Sequence, residues 1–194
     1  MEYPVVTENL LLEAVNILLE SINELPIEDE AEFDNFIEAR QARSKIVEVT
    51  RAVLSEKWDC NTDTNYIFPL DAQGMIPVPS NVLDIVGNRG DVIMRNWKLY
   101  SRSNQSHIFA EEVPCNVVWL FDFNNLSHPI RHYITIRAAR IFMARTIGDK
   151  QAVGFNEMDE EDARIAARRS ESFTGKFNML TTGLYGTNNR IVRS

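Results

Sequence analysis

Residues 30–58, EAEFDNFIEARQARSKIVEVTRAVLSEKW, contain neither glycine nor proline. Their small and branched apolar residues recur in steps of three and four: Ala39, Ala42, Ile46, Val49 and Val53. This spacing predicts one long helix whose apolar seam packs along another helix. At a rise of ~1.5 Å per residue the helix would be about 40 Å long. The segments on either side must therefore supply the elements that cover this seam.

A second apolar stripe precedes this helix, between residues 7 and 23. It predicts a shorter helix that Thr7 can N-cap and that ends at Asn23, with Pro26 beyond it. The residues of the stripe are Leu11, Ala14, Val15, Leu18, Ile22 and Leu25, and Leu12 and Leu19 broaden it. This helix is therefore expected to contact neighbours on more than one side.

The pattern changes between Cys60 and Asn124, where prolines and glycines separate short β-branched and aromatic runs. Run length and turn spacing are typical of a small antiparallel sheet or partial barrel, and residues 87–90 (GNRG) are the clearest hairpin turn. The predicted strands are Tyr66–Leu70, Met75–Val78, Val82–Val86, Val92–Leu99, His107–Ala110 and Val117–Phe121. Residues 61–124 are thus expected to form a β domain.

Helical patterns return after residue 125. Ser127-His128-Pro129 is typical of a helix start, and Gly148 is expected to end that helix. A fourth helix is predicted from Asn156 to Phe173, followed by Gly175. The predicted class is α+β: a bundle of about four helices (residues 1–60 and 125–175), an inserted antiparallel β domain (61–124) and an extended C-terminal arm (176–194).

The chain has 194 residues, 20 basic and 28 acidic, and a formal net charge of −8. That balance argues against a general nucleic-acid binder, which needs an excess of Lys and Arg. The charge also follows a gradient: −9 over residues 1–60, −3 over 61–127 and +4 over 128–194. These opposite charges could meet within one molecule or between copies that assemble, and the sequence leaves both readings open.

No apolar run approaches the ~20 residues that cross a bilayer. The N-terminal stretch has no basic region before its apolar residues, so no signal peptide is expected. We therefore expect a protein without membrane contact, made in the cytoplasm of a cell.

Residues that could carry chemistry are few. The phosphate-binding glycine motifs and the G-x-S-x-G elbow do not occur in the sequence. His128 and His132 have the spacing of two metal ligands on a helix, but no third Cys or His lies nearby, so no metal site is expected. Glu111, Glu112 and Asp122 flank the last predicted strands and leave open a carboxylate pair for glycoside hydrolysis.

The cysteines and tryptophans are expected to be structural. Cys60 and Cys115 do not lie in a helix-start or basic context that would lower a thiol pKa, so both are predicted to be reduced core thiols. Trp58, Trp97 and Trp119 have apolar neighbours or lie at element ends, and we expect them to pack in the core. Catalytic, cofactor-binding and metal-binding residues are accordingly predicted to be none.

An ordered set of short motifs spans nearly the whole chain. They are Ala14-Val15-Asn16-x-x-Leu19-x-Ser21-Ile22 followed by Pro26; Ala39-Arg40 and Ala42-Arg43 with Trp58 and Asn61; Ile76-Pro77-Val78-Pro79-Ser80-Asn81; Leu99-Tyr100-Ser101-Arg102; and Tyr133-Ile134-x-x-Arg137-Ala138-Ala139-Arg140. This set resembles the tail tubular protein A family of podoviruses, the head-to-tail adaptors of short-tailed phages. Asn23 stands where the family pattern has Gly, a small difference because Asn tolerates the left-handed conformation.

The resemblance implies a structural virion protein rather than an enzyme. It implies a ring, a dodecamer, beneath the portal protein, with the tail nozzle (tail tubular protein B) docked below and DNA passing through the lumen without sequence-specific binding. Residues 7–58 and 176–194 would then face the portal or neighbouring copies, and residues 61–124 the nozzle or neighbouring copies. Assembly would take place in the host cytoplasm and the product would reside in the virion tail.

Two other functions compete with this reading. One is a virion-associated glycan or peptidoglycan hydrolase that uses Glu111, Glu112 or Asp122. The other is a regulatory interaction protein of the host cytoplasm.

Overall fold

The structure, a computed structural model, describes residues 9–88, 90–146, 148 and 156–182, of which 173–182 by their backbone alone. In chain order its elements are α1 (Leu10–Ser21), α2 (Ile37–Leu54), β1 (Thr62–Ile67), β2 (Val82–Gly87), β3 (Val92–Arg95), β4 (Lys98–Ser101), β5 (Pro114–Trp119), α3 (His128–Thr146) and α4 (Glu157–Thr182). The predicted α+β class, with four helices and an antiparallel sheet between the second and third, is confirmed in these ranges.

Helix α1 begins later than its apolar pattern predicts. Its N-cap is Asn9, whose side-chain oxygen accepts a hydrogen bond from the Leu12 N–H at 3.3 Å, whereas Thr7 lies outside the described residues. Asn23 has a φ of 62° just after the helix, so the left-handed conformation expected there is confirmed. Leu25 is 84% exposed and does not belong to the buried stripe.

Helix α2 is shorter than the predicted 30–58 helix. Asp29 caps a separate 3-10 helix over Glu30–Glu32, and Phe36 is extended, with φ −113° and ψ 128°. The helix therefore begins at Ile37, after this break, and its 18 residues span about 27 Å rather than about 40 Å. Its predicted seam is confirmed, since Ala39, Ala42, Ile46, Val49 and Val53 are all buried.

The sheet has strand order β1-β5-β2-β3-β4, and every neighbouring pair is antiparallel. The hairpin predicted at residues 87–90 is confirmed because β2 and β3 pair across it. The run predicted as one strand over Val92–Leu99 is two strands, joined where Arg95 pairs with Lys98. Met75–Val78 and His107–Ala110 form only isolated bridges and are not strands.

The two edges of the sheet differ. Along β4, Val78 donates to the Trp97 carbonyl at 2.8 Å and Leu99 donates to the Ile76 carbonyl at 2.9 Å, so the chain covers that edge itself. Strand β1 pairs only with β5 and contains a register shift between Asp63 and Tyr66. Such an irregularity twists an open edge away from flat pairing with other strands.

Helix α4 continues beyond its predicted end at Phe173. Its N-terminus is as expected, because the Asn156 side chain accepts hydrogen bonds from the N–H groups of Met158 at 2.7 Å and Asp159 at 3.1 Å. The backbone then remains helical through Gly175 to Thr182, so residues 176–182 are helix and not extended arm. Residues 183–194 lie outside the described part.

Two groups of buried side chains form the interior. The larger is shared by the four helices, with Trp58, Leu126 and Tyr133 among its members. The smaller belongs to the sheet and includes Ile76 and Leu99. The domain boundaries at residues 60, 124 and 175 stay a prediction.

Candidate assembly surfaces

One buried asparagine joins the helices to the sheet. The Asn61 amide donates to the Leu54 carbonyl at the end of α2, at 2.9 Å, and to the Trp119 carbonyl at the end of β5, at 2.7 Å. Its side-chain oxygen accepts the Trp58 N–H at 3.0 Å. Because Asn61 satisfies three buried backbone groups at once, it fixes where α2 meets the sheet.

Glu56, just after α2, faces three arginines. Its carboxylate lies 2.8 Å from Arg137 on α3, and 3.5 Å from Arg168 and 3.9 Å from Arg164 on α4. Arg137 also donates to the Tyr133 hydroxyl at 2.8 Å, and burial raises the pKa of that phenol. The acidic N-terminal part of the chain thus meets the basic C-terminal part within one molecule at this point.

Helix α4 rests on this ionic cluster with little apolar contact. Of its side chains up to Ser172, only Ala163 and Ala167 are buried, and Arg168 stacks over the Trp58 ring at 3.6 Å. Glu160 adds an ion pair with Arg140 at 2.6 Å. Up to Ser172, ion pairs and the Arg168–Trp58 stacking therefore make up most of the side-chain contacts that the structure describes for α4.

Other residues that carry the family resemblance also have structural partners. The Asn16 amide donates to the Ile27 carbonyl and its oxygen accepts the Ile27 N–H, both at 3.0 Å, which ties the α1–α2 connection to α1. Ser101 is buried and donates to Asp91 at 3.0 Å. Hydrogen bonds from the Ser103 hydroxyl above all, and from its N–H and Ser101, lower the pKa of Asp91. These polar side chains fix turns and connections.

The α1–α2 connection, residues 22–36, and the start of α2 form an acidic surface. The sequence from residue 9 to 39 contains nine acids and no Lys or Arg. None of these acids forms an ion pair in the described ranges. Three apolar side chains are exposed among them: Leu25 at 84%, Phe36 at 50% and Ile37 at 57%. Acidic side chains without ion-pair partners, together with exposed apolar side chains, are typical of an interaction site. The part of this surface that is used below, residues 20–37, is called the acidic end.

The β3–β4 hairpin displays a tryptophan that sequence reasoning placed in the core. Asn96 and Trp97 have φ of 54° and 57°, the conformation of a two-residue type I′ turn. Trp97 is 54% exposed, whereas Trp58 is fully buried as predicted. Asn at the first turn position is the signal that could have revealed this hairpin. Bulky residues rarely adopt positive φ, so Trp97 is held outward at a cost in backbone strain.

An open groove of about 280 Å³ lies between α1, α2 and the segment that follows β5. Leu11, Val47, Leu120 and Phe121 give it apolar walls. Its single carboxylate is that of Asp122, which caps the next short helix by accepting the Asn124 N–H at 2.9 Å. The groove can receive an apolar side chain but offers no arrangement of groups for catalysis.

The candidate hydrolase carboxylates are not brought together. Glu111 and Glu112 are exposed in the connection before β5, and Asp122 follows the other end of that strand. The six residues of β5 separate them by about 20 Å, more than the ~5–9.5 Å between the two acids of a glycosidase. The structure therefore gives no pairing of Asp122 with Glu111 or Glu112.

The histidine pair lies where the sequence placed it. His128 and His132 stack on α3 with ring centroids 6.2 Å apart, beside Glu13 and Arg131 in a shallow depression of about 110 Å³. Among the residues that the structure describes, no group of three or more His, Cys, Asp or Glu side chains could hold a metal ion. Nor does any helix in the same ranges have the length and apolar character needed to cross a membrane.

The two thiols differ in position. Cys115 is buried as expected, but Cys60 is exposed, which corrects its assignment to the core. Burial raises the pKa of Cys115 to about 11. Loss of hydration, with the neighbouring Glu171 carboxylate, raises that of Cys60 to about 12. Both shifts favour the protonated thiol over the thiolate, which is the nucleophilic form.

Comparison with known proteins identifies the family. The model of the tail tubular protein family matches residues 12–177, which include all four helices up to the last turns of α4 and the whole sheet. Comparison with curated proteins gives no match. Because the family match covers most of the sequence, the resemblance drawn from the short motifs is confirmed. The chain belongs to the tail tubular protein family, the structural tail proteins of bacteriophage virions.

Proposed function

We propose that this protein is the adaptor that joins the portal to the tail nozzle of a short-tailed phage and forms part of the DNA ejection channel. The observation that carries the proposal is the family match over residues 12–177. Exposed apolar side chains at the acidic end and at Trp97 support it, because an adaptor needs surfaces for neighbours on several sides.

In this proposal the protein assembles as a ring, a dodecamer, and performs no catalysis. Two of the features that expose apolar side chains, the acidic end and the β3–β4 hairpin, differ in composition. Contacts between unlike surfaces of identical subunits are heterologous, and they generate rings when the rotation between subunits closes. A net charge of −8 suits a lumen through which DNA slides, since phosphates are repelled and not retained.

The direct test is to mix the purified protein with portal rings of the same phage and follow mass by light scattering. We expect a saturable gain of about twelve copies per ring. No gain from protein shown to be folded by circular dichroism would break the adaptor assignment.

A truncation tests the role proposed for the C-terminal segment. Because residues 176–182 belong to α4, the deletion should remove only residues 183–194. We expect a folded chain that no longer joins portal rings, whereas a truncated chain that still joins them would refute the role of this segment.

A further inference from the structure

The acidic end contains seven acids and no Lys or Arg. Six of its acids are exposed: Glu20, Glu24, Glu28, Asp29, Glu30 and Asp34. Arg43 lies nearby over the Phe33 ring at 5.4 Å, yet it forms no ion pair with any of them in the described ranges. Leu25, Phe36 and Ile37 remain exposed. A ligand for this surface must bring both positive charge and apolar side chains.

One segment of the same chain has that composition. Residues 190–193 are Arg-Ile-Val-Arg, two apolar residues between two bases, and residues 176–194 contain three bases and no acid. In the acidic end, Glu24 and Glu28 stand on either side of Leu25-Pro26-Ile27, of which Leu25 is exposed and Ile27 is buried. An extended segment could place its apolar side chains on Leu25 while its guanidinium groups meet the two carboxylates.

The fold separates these two regions within one copy. Helix α4 runs antiparallel to α3, since Glu160 pairs with Arg140 and Arg168 with Glu56 at the end of α2. The Glu171 carboxylate then accepts hydrogen bonds from the N–H groups of Asp59 and Cys60, both at 3.0 Å. Helix α4 therefore points toward the sheet, away from the acidic end.

Distances along the helices show how large the separation is. Helix α2 places its first residue, Ile37, about 27 Å from the level of Leu54, and the Asn16–Ile27 hydrogen bonds bring the connection that holds Glu24 and Glu28 back along α1. The backbone of α4 continues past Glu171 to Thr182, about 16 Å in the opposite direction. Residues 183–190 are eight in number and can span at most about 28 Å. To reach Glu24 and Glu28 of the same copy, the chain would have to reverse direction after Thr182 and return along α4, whereas a contact with a second copy needs no such reversal.

We infer that residues 190–193 of one copy dock on the acidic end of a second copy, with Ile191 and Val192 on Leu25 and the arginines on Glu24 and Glu28. This inference rests on the proposed ring. In that ring each copy would bind the next through two unlike surfaces, which is a heterologous contact. The acidic and basic parts of the sequence would then meet twice: within one copy at the Glu56 cluster, and between two copies at this contact.

A peptide titration tests the contact without a portal. The probe is a fluorescein-labelled peptide of residues 183–194, and the binder is the full chain carrying Arg190→Glu and Arg193→Glu, whose own segments no longer compete. We expect a saturable rise in anisotropy that weakens at least about tenfold when Glu24→Lys and Glu28→Lys are added. Neither glutamate side chain has a hydrogen bond or ion pair in the described part, so these changes should leave the fold intact.

Matched controls define what each result means. Adding Glu111→Lys and Glu112→Lys instead changes the same charge at exposed acids beside the sheet and should leave binding unchanged, while Leu25→Ser should weaken it. The inference is overturned if the peptide does not bind saturably, or if reversal at Glu24 and Glu28 has no more effect than the control. The inference is also overturned if Trp97→Ala abolishes binding while the changes at Glu24, Glu28 and Leu25 do not. That result would make the β3–β4 hairpin the docking site.

Portal rings separate this inference from the proposed function. Arginine reversal alone and glutamate reversal alone should each reduce the copies gained per ring, and the four changes combined in one chain should restore them. If only arginine reversal matters and the combination does not rescue, the segment binds the portal and the inference is wrong. If the wild-type chain never joins rings while the peptide binds as expected, the proposed function fails and the contact between copies stands.

Discussion

Cys60 shows how one carboxylate controls the chemistry around it. Glu171 on α4 accepts the N–H groups of Asp59 and Cys60 at the start of the short helix before β1. Loss of hydration above all, and then the Glu171 carboxylate, keep the Cys60 thiol protonated, with a pKa raised to about 12. An exposed cysteine is ordinarily more reactive than a buried one. Cys60 is exposed, but its raised pKa lowers the fraction of reactive thiolate.

We therefore expect iodoacetamide to alkylate Cys60 at pH 8 at least about 100-fold more slowly than the same cysteine in the unfolded chain. Glu171→Gln should speed the reaction, because it removes the charge that opposes the thiolate. The readout is mass spectrometry of the Cys60 peptide. Asp162→Asn on the same helix is the control and should change nothing; alkylation at the unfolded rate would contradict the raised pKa.

The same shift has a consequence for stability. The folded state binds the thiol proton more tightly than the unfolded chain, whose thiol pKa is about 9. The stability that this provides is fully present below about pH 9. It is lost as pH rises from there toward about 12. The Cys60 thiol therefore contributes to stability at neutral pH and opposes folding once it must ionise.

Several residues could be assigned from sequence and others could not. The left-handed Asn23 and the buried Trp58 follow from local rules about helix ends and apolar neighbours. The exposure of Cys60 and Trp97 does not, since it depends on which surfaces α4 and the rest of the sheet leave open. Sequence patterns report local periodicity, whereas exposure is decided by tertiary packing.

At the scale of elements, the β3–β4 hairpin is under local strain. Trp97 occupies the second position of its type I′ turn at φ 57°, where glycine is the preferred residue. The Trp97 ring is largely exposed. The hydrogen bond that the Trp97 carbonyl accepts from the Val78 N–H would form with any side chain at this position. A strained and exposed tryptophan is therefore consistent with a role in contact and not in stability.

Trp97→Gly should raise the free energy of unfolding by about 1 kcal/mol relative to Trp97→Ala, because glycine relieves the positive φ and alanine does not. Both changes remove the same indole, so Ala is the matched control. Urea unfolding followed by circular dichroism measures the difference. A glycine variant less stable than the alanine variant would show that the turn is not strained.

Between Glu157 and Ser172, helix α4 forms several ion pairs with the rest of the molecule. Glu56→Gln removes the charge that faces Arg137, Arg164 and Arg168. Since the Glu56 side chain is only 28% exposed, we expect a loss of about 1–2 kcal/mol. Amide hydrogen exchange should speed up in residues 157–172 more than in α2.

Glu48→Gln is the control for this prediction. Glu48 pairs with Lys45 within α2 and is 59% exposed, so its loss should leave exchange in α4 unchanged. High salt should weaken the wild-type protection of α4 in the same direction as Glu56→Gln. Equal exchange in both variants would mean that the alanine contacts alone hold the helix.

Helix ends were predicted correctly where a residue next to the end caps it. They were predicted wrongly where no such residue marks the end. The start of α4 at Glu157 was predictable from Asn156, and the end of α3 from Gly148, whose φ is +82°. The break before α2 arises because Asp29 caps a separate turn and Phe36 is extended, although no glycine or proline marks it. Helix α4 passes through Gly175 because one glycine costs only about 1 kcal/mol.

The candidate site depends on the whole molecule, and sequence revealed its composition but not its position. The charge gradient indicated that acidic and basic parts of the chain would meet. It could not show that Glu56 satisfies this within one copy while residues 20–37 remain unneutralised. That distinction depends on the direction of α4, which the Glu171 hydrogen bonds to the N–H groups of Asp59 and Cys60 fix.

At this largest scale, we expect the Asn61 junction to couple the helices to the sheet. Its side chain bonds the ends of α2 and β5, and its replacement by alanine leaves the Leu54 and Trp119 carbonyls and the Trp58 N–H without this partner. Buried groups left unpaired cost about 1–3 kcal/mol each, less where water enters. We expect Asn61→Ala to lower the free energy of unfolding by about 3 kcal/mol.

Two probes show whether that loss is shared by both halves. Far-ultraviolet circular dichroism follows the helices, and tryptophan fluorescence follows Trp58 and Trp119 at the junction. In the wild type the two urea transitions should coincide, as for a single cooperative unit. In Asn61→Ala both should move to lower urea, whereas Asn116→Ala, at an exposed position of β5, should stay within about 0.5 kcal/mol of the wild type. If the free energy of unfolding of Asn61→Ala equalled that of Asn116→Ala, the Asn61 hydrogen bonds would not couple the sheet to the helices. The apolar contacts between the two parts would then provide the coupling.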